Sequence, residues 1–190
     1  MGLTVPDLLQ GERNYGDNKI LVSSIQTPLG EMLALATVQG ICLLEFSDRK
    51  GLEVGIQTIL EKTNSRLIPG KNHFSNQLSE DLAAYFKNPS HLFSVPLVIF
   101  GTEFQKSVWK ALSAIPIGET RTYSQVARVI GKPQAARAVG HANARNPIAI
   151  VIPCHRLIGT SGNLTGYGGG IWRKEWLLHH EKIAGKSDKD

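Results

Sequence analysis

The sequence predicts an α/β chain of the α+β kind, with a small strand-rich domain over residues 1–95 and a helical domain over 96–190. Three observations predict it. In the first half, short apolar runs alternate with turn residues, whereas in the second, apolar residues recur at helical spacing behind helix-starting caps. The charge also divides: residues 1–95 carry 8 Lys and Arg against 10 Asp and Glu, and residues 96–190 carry 13 against 6, balances of −2 and +7.

In chain order, Lys19–Gln26 reads as a strand, followed by the turn Thr27-Pro-Leu-Gly30. Glu31–Thr37 and Ile41–Phe46 flank Gln39-Gly40 and read as a hairpin. Residues 52–62 suit a short helix. Phe74–Lys87 is a stronger helix, with Leu78, Leu82 and Tyr85 on one face and Asn88-Pro89 to end it. This half holds no recognisable chemistry. Pro96–Gly101 serves as a linker or a last strand.

Thr102-Glu-Phe-Gln105 matches a capping box, and Phe104, Val108, Trp109 and Leu112 follow at helical spacing until Ile115-Pro-Ile-Gly118 stops them. Ser124–Ile130 is a second, short helix, closed by Gly131-Lys-Pro133. A third runs from Gln134 to about Arg145, ahead of Asn146-Pro147. Short helix, glycine turn and basic helix make a helix-turn-helix pattern. The third helix is rich in small residues (Ala135, Ala136, Ala138, Gly140, Ala142, Ala144), which suits close backbone approach better than base-edge readout in the major groove. Gly159–Gly162 is a tight turn, Gly166–Gly170 a close-approach loop, and Trp172–Glu181 a closing helix with Trp176, Leu177 and Glu181 placed to return to the site.

Composition excludes several classes. Hydrophobic residues make up 42% and charged residues 19%, an ordinary globular profile. No apolar run is long enough to span a bilayer, and the N-terminus lacks the pattern of a secretion signal, so the protein is expected in the cytoplasm, on the nucleoid when bound to DNA. The match Asn163-Leu-Thr165 to a glycosylation acceptor is then a chance one. Two cysteines, Cys42 and Cys154, make neither a disulfide framework nor a cysteine-rich zinc site. Cys42, within Gly40–Leu44, reads as a buried small hydrophobe, and His179-His180 as solvated helix surface. No metal and no cofactor are expected. The +7 half points to a polyanion partner.

The chemistry concentrates at Pro153-Cys154-His155-Arg156, behind the apolar Ile148–Ile152. A cysteine between apolar chain and cationic neighbours favours the thiolate, the nucleophilic form. On a strand, neighbouring side chains point to opposite faces, so His155 serves Cys154 only if the backbone turns there.

With Ile152–Arg156 forming Ile-Pro-Cys-His-Arg, the segment closely resembles the O6-alkylguanine-DNA alkyltransferases, the methylated-DNA–protein-cysteine methyltransferase family. The resemblance extends through Gly101–Gln105, Ile115–Thr120, Arg137-Ala-Val-Gly140, Asn146-Pro147 and Gly166-Tyr-Gly-Gly169, dense over about 96–181 and weak before it. It implies a winged helix-turn-helix in the second half and irreversible, single-turnover transfer of an alkyl group from O6-alkylguanine to Cys154 after base flipping. His155 would be the base, acting through a water, with Glu181 orienting it. Tyr123 would contact the target phosphate and assist the departing guanine. Arg137 would fill the gap left by the flipped nucleotide. Asn146 would hold the turn between the recognition helix and an active-site strand. Gln134, Ala138, Arg145 and Ser124 would join Arg137 and Tyr123 on DNA, and Leu157, Tyr167 and Gly168 would line the guanine pocket. The implied partner is double-stranded DNA carrying O6-alkylguanine, with O4-alkylthymine a second candidate lesion. The protein itself would act as a monomer. His141 and Asn143 take no role from the resemblance.

Relatives with zinc in the first domain have cysteines that this chain lacks. The competing reading is a non-enzymatic lesion binder of the alkyltransferase-like type, which would lack the acceptor cysteine. A cysteine hydrolase or acyltransferase built on Cys154 and His155 would leave Arg137 and the basic helix-turn-helix without a purpose.

Overall fold

The computed structural model describes residues 18–184, with Pro6 besides. The termini at 1–17 and 183–190, expected from sequence to be disordered, otherwise lie outside the described residues. Two compact units form among the described residues: 18–83 with 93–100, and 84–92 with 101–184.

The first unit is a four-stranded sheet in the order β3-β2-β1-β4. β1 (Asn18–Thr27) turns into β2 (Gly30–Ala36), antiparallel, with Ser24 opposite Leu33. β2 pairs with β3 (Ile41–Phe46), again antiparallel, with a register shift at Leu35/Ala36. α1 (Leu52–Thr63) then crosses over so that β4 (Ser65–Pro69) runs parallel to β1. Period-two alternation puts Ile20, Val22, Leu35 and Leu43 on the face covered by Leu52, Ile56, Ile59 and Leu60 of α1. Ala34 pairs with Leu44 and Met32 with Phe46, which places these on the opposite face. Every residue of β3 is buried, so both faces of the sheet are covered there. Cys42 is fully buried, as expected; burial pushes its thiol up to about 12.

Pro96–Gly101 forms only an isolated parallel bridge, Leu97 to Ile41. That contact requires Gly40: at φ 152°, a Cβ there would lie 2.4 Å from the Pro96 carbonyl oxygen. α2 (His73–Lys87) has Leu78, Leu82 and Tyr85 buried, and its last turn, from residue 84, belongs to the second unit.

In the second unit, α3 (Glu103–Ser113) begins with the expected capping box: Gln105 N donates to Thr102 Oγ1 at 3.2 Å, and Thr102 N to Gln105 Oε1 at 2.9 Å. Thr122 and Gln125 form a second one ahead of α4 (Tyr123–Val129). α5 spans Ala136–Ala144 and packs against both α3 and α4. It starts two residues later than the sequence suggests: Ala135 N donates to Lys132 O at 2.8 Å, closing a turn that leaves Gln134 outside the helix. The Trp109 indole donates to the Ala142 carbonyl at 2.9 Å and fixes α5 on α3. A short parallel pair, β5 (Arg121–Thr122) with β6 (Leu157–Ile158), precedes α6 (Ile171–Ala184). None of the described helices is long and apolar enough to cross a membrane.

Candidate active site

The expected strand before Cys154 is absent. Residues 147–152 coil through turns, with Ile152 N donating to Ile148 O at 3.0 Å, and Cys154–Arg156 is a single 3-10 turn. Asn146 builds this bend. Its buried amide donates to Ile152 O at 2.8 Å and Ile148 O at 3.3 Å, while its Oδ1 accepts from Ile148 N at 3.0 Å. Ile150 sits at φ 69°, the left-handed region, which costs a β-branched residue about 1–2 kcal/mol. Burial of Ile148, Ala149, Ile150 and Ile152 holds the strained turn in place. The backbone therefore does turn at Cys154, the condition under which a sequence-adjacent histidine can serve it.

Cys154 is buried, 6% exposed, and His155 and Glu181 are fully buried. Glu181, on α6, lies with Oε1 2.8 Å from His155 Nε2. Arg156 closes a fork on the same carboxylate, Nε to Oε2 at 2.8 Å and Nη2 to Oε1 at 2.9 Å, and its Nη1 donates to Ile115 O at 2.5 Å. Burial alone would raise the Glu181 carboxyl. The hydrogen bonds from His155 and Arg156, with the guanidinium charge, outweigh it and hold the group well below the usual carboxylate range. Burial lowers the affinity of His155 for a proton, against the pull of Glu181. An ionised carboxylate only accepts, so Nε2 carries the proton and Nδ1 keeps its lone pair. Nδ1 has no hydrogen-bond partner in the protein.

A second buried cation borders the cysteine. Lys174 is fully buried on α6, its ammonium donating to Leu157 O and, at 2.8 Å, to Thr165 O. Burial brings it down to about 8, while the charge of Cys154 pulls the other way. Thr165 O also accepts from the Tyr123 hydroxyl at 3.2 Å, and the Tyr123 ring lies 3.7 Å from where a Cβ on Gly140 would sit. Tyr123 thus bridges α5 and the loop that contains Tyr167 and Gly168. Arg173 Nη1 holds that loop through Gly169 O at 2.7 Å.

Of the residues expected at the site, Cys154, His155, Glu181 and Asn146 come together, and Leu157 and Tyr123 join them through Lys174 and Thr165. Arg137, Ala138 and Arg145 are exposed on or just beyond α5, Ser124 is half-buried on α4, and Gln134 is exposed in the preceding turn. An open groove of about 440 Å³ beside α5 is lined by Thr102, Gln105, Ala138, His141 and Arg145. Trp176 does not return to the site; it stacks on His180, with ring centroids 4.8 Å apart. His180 is accordingly half-buried rather than solvated, and its Nε2–H donates to the Tyr85 carbonyl oxygen at 3.0 Å, which can only accept. Sequence reasoning missed Arg156 as the clamp on Glu181, and missed Lys174. The available signal was helical spacing, which puts Lys174 and Glu181 on the same face of α6 as the apolar Leu177 and Leu178.

Comparison with known proteins agrees on one family. The family model for the 6-O-methylguanine DNA methyltransferase DNA-binding domain matches residues 103–183. A methylated-DNA–protein-cysteine methyltransferase of Methanosarcina barkeri is 46% identical over 159 residues, 83% of this chain and 94% of that one. One of Mycobacterium tuberculosis is 50% identical over 133 residues, 70% of this chain and 80% of that one. Among solved structures, the Mycobacterium tuberculosis protein in complex with DNA superposes with a TM-score of 0.73 at 42% identity, covering 87% of this chain and 94% of that chain.

Proposed function

The chain belongs to the methylated-DNA–protein-cysteine methyltransferases, which repair DNA by alkyl transfer, and from that premise we propose that Cys154 takes the alkyl group from O6-alkylguanine in duplex DNA, once per molecule. One observation carries the assignment to these residues: Cys154 opens the 3-10 turn that contains His155, whose Nε2–H is fixed by ionised Glu181 and whose Nδ1 lone pair has no protein partner.

The reaction is a displacement at the alkyl carbon. His155 Nδ1, through a water, takes the Cys154 proton. The sulfur–carbon bond forms as the carbon–O6 bond breaks, and the electron pair passes into the guanine ring, which gains a proton and leaves as guanine. The net exchange is one thiol hydrogen for one alkyl group. The product is an uncharged alkyl thioether, whose carbon is not activated for displacement, so it persists and the protein is consumed. The Lys174 ammonium favours the thiolate beforehand.

The target carbon is out of reach inside a duplex, and flipping the base out costs a few kcal/mol. Arg137, exposed on α5, offsets part of that by entering the gap. Tyr123 supports the target phosphate and the leaving base, and Tyr167, Gly168 and the backbone at Leu157 line the base pocket. The small-residue face of α5 suits the minor groove, where readout is degenerate, as repair in any sequence context requires. Gln134, Ala138, Arg145 and Ser124 line the DNA path, and the protein acts as a monomer in the cytoplasm.

Intact-protein mass after incubation with duplex DNA containing O6-methylguanine tests the reading. One methyl gained per chain, absent in Cys154→Ala, supports it. Tight lesion binding with no gain overturns it in favour of a lesion binder.

A further inference from the structure

Outside the residues assigned above, one buried side chain touches the relay. Tyr85, in the last turn of α2 and within the second unit, donates its hydroxyl to Glu181 Oε1 at 2.8 Å, 96 residues away in sequence. It is 1% exposed. Two consecutive residues of α6 grip it: Glu181 takes the phenol, and His180 donates to its backbone carbonyl at 3.0 Å. The His180 ring also meets the Tyr85 ring edge-on, centroids 5.4 Å apart. Tyr85 lies upstream of the matched family segment, which begins at residue 103.

Glu181 Oε1 thus receives three donors, from His155, Arg156 and Tyr85, whereas Oε2 receives Arg156. We infer that Tyr85 is a positioning residue of the alkyl-transfer site, setting through Glu181 both the orientation of His155 and how strongly it holds a proton. The inference rests on the relay proposed above. A hydroxyl donor on Oε1 draws charge from the oxygen that His155 Nε2–H faces. Without it, the carboxylate pulls harder on that proton and His155 becomes more basic. The carboxylate also loses the contact that fixes its rotation. Burial, then the charge of Glu181, push the Tyr85 phenol far above its ordinary range, so it stays a donor at any working pH.

Tyr85→Phe removes the hydroxyl and keeps the ring. Single-turnover methyl transfer from O6-methylguanine duplex, measured against pH, is expected to show the acid limb displaced upward by about one unit and the neutral rate reduced about tenfold. Affinity for the lesion duplex should be unchanged. The same upward displacement is expected for alkylation of Cys154 by iodoacetamide, which needs no DNA. In a Glu181→Gln background, Tyr85→Phe should displace nothing further, because its path runs through the carboxylate. An unmoved acid limb in both assays overturns the inference, as does a displacement that persists in the Glu181→Gln background. A wild-type protein that reacts with iodoacetamide but takes no methyl from DNA refutes the alkyl-transfer reading instead, leaving the Tyr85 effect to be read from the iodoacetamide profile.

Discussion

Glu181 Oε1 stands 2.8 Å from His155 Nε2, with both side chains sealed from solvent. Because the carboxylate can only accept, this single contact decides which imidazole nitrogen carries the proton and leaves the lone pair on Nδ1. The same carboxylate neutralises the buried guanidinium of Arg156. Structure and chemistry therefore depend on one side chain, and its two roles separate by substitution.

Glu181→Ala is expected to destabilise the fold by about 3–5 kcal/mol, because it strands Arg156 as a buried unpaired cation. Glu181→Gln keeps an acceptor oxygen and should cost less, while slowing methyl transfer about a hundredfold through loss of the fixed tautomer. Urea unfolding and single-turnover rates measure the two effects. Equal destabilisation by both variants would show that an acceptor oxygen alone does not satisfy Arg156 and that the carboxylate charge is what it requires.

Stability should fall on the acid side in two stages. His155 is held neutral when folded, so below its unfolded value of about 6.5 the unfolded chain binds the extra proton, and stability declines as pH falls from there. Glu181 is depressed when folded, so its contribution is complete above the ordinary carboxylate value and is lost as pH falls through and below it. Urea midpoints between pH 8 and 5 should therefore drop for the wild type. The Glu181→Gln variant should keep the His155 stage and lose the second, and a flat wild-type curve would mean that His155 binds its proton equally well when folded.

Much of this was legible in the sequence. β1 to β3, α1 and the capped α3 follow local periodicity and turn chemistry, and the Ile-Pro-Cys-His-Arg run marks the segment around which Cys154, His155 and Glu181 gather. β4 was not read, because Ser65–Pro69 carries only two large apolar residues and its pairing with β1 depends on the crossover. The bend before Cys154 was also hidden: Ile148–Ile152 has a strand's composition, but the Asn146 amide and the left-handed Ile150 fold it into turns. Helical spacing puts Tyr85 on one face with Leu78 and Leu82, which describes its ring and misses its hydroxyl. A hydrogen bond to a residue 96 positions away leaves no trace in local pattern.

Asn146→Ala should expose how far that bend depends on one amide. It removes the acceptor of the buried Ile148 amide and one of the two donors at each of the Ile152 and Ile148 carbonyls, a cost of about 1–3 kcal/mol in unfolding free energy. Cys154 alkylation by iodoacetamide should slow in the folded variant as the 3-10 turn loosens. Wild-type stability and reactivity would show that the Ile150 turn holds itself.

Arg137→Ala tests the separation between flipping and chemistry. Transfer from O6-methylguanine in a duplex should slow between about tenfold and a hundredfold, the share of the flipping cost that one inserted side chain can offset. Transfer from free O6-methylguanine base and reaction with iodoacetamide should be unaffected, because Arg137 is exposed on α5 and makes no contact with the relay. Equal slowing with the free base would place its effect on the site itself.

Lys174 predicts the alkaline limb of the reaction. Its ammonium is buried, brought down to about 8, and electrostatically linked to Cys154. Above that pH the site loses a positive charge beside the sulfur, so the thiolate loses part of its stabilisation before the flipped base arrives. The wild-type rate of methyl transfer should thus decline above about pH 8, although a simple thiol would only gain reactivity there. Lys174→Met removes the titrating group: its rate should be lower at neutral pH, rise monotonically with pH, and lack the alkaline decline. If the decline persists in Lys174→Met, another group titrates, and Lys174 serves only to tie Leu157 and Thr165 together through their carbonyls.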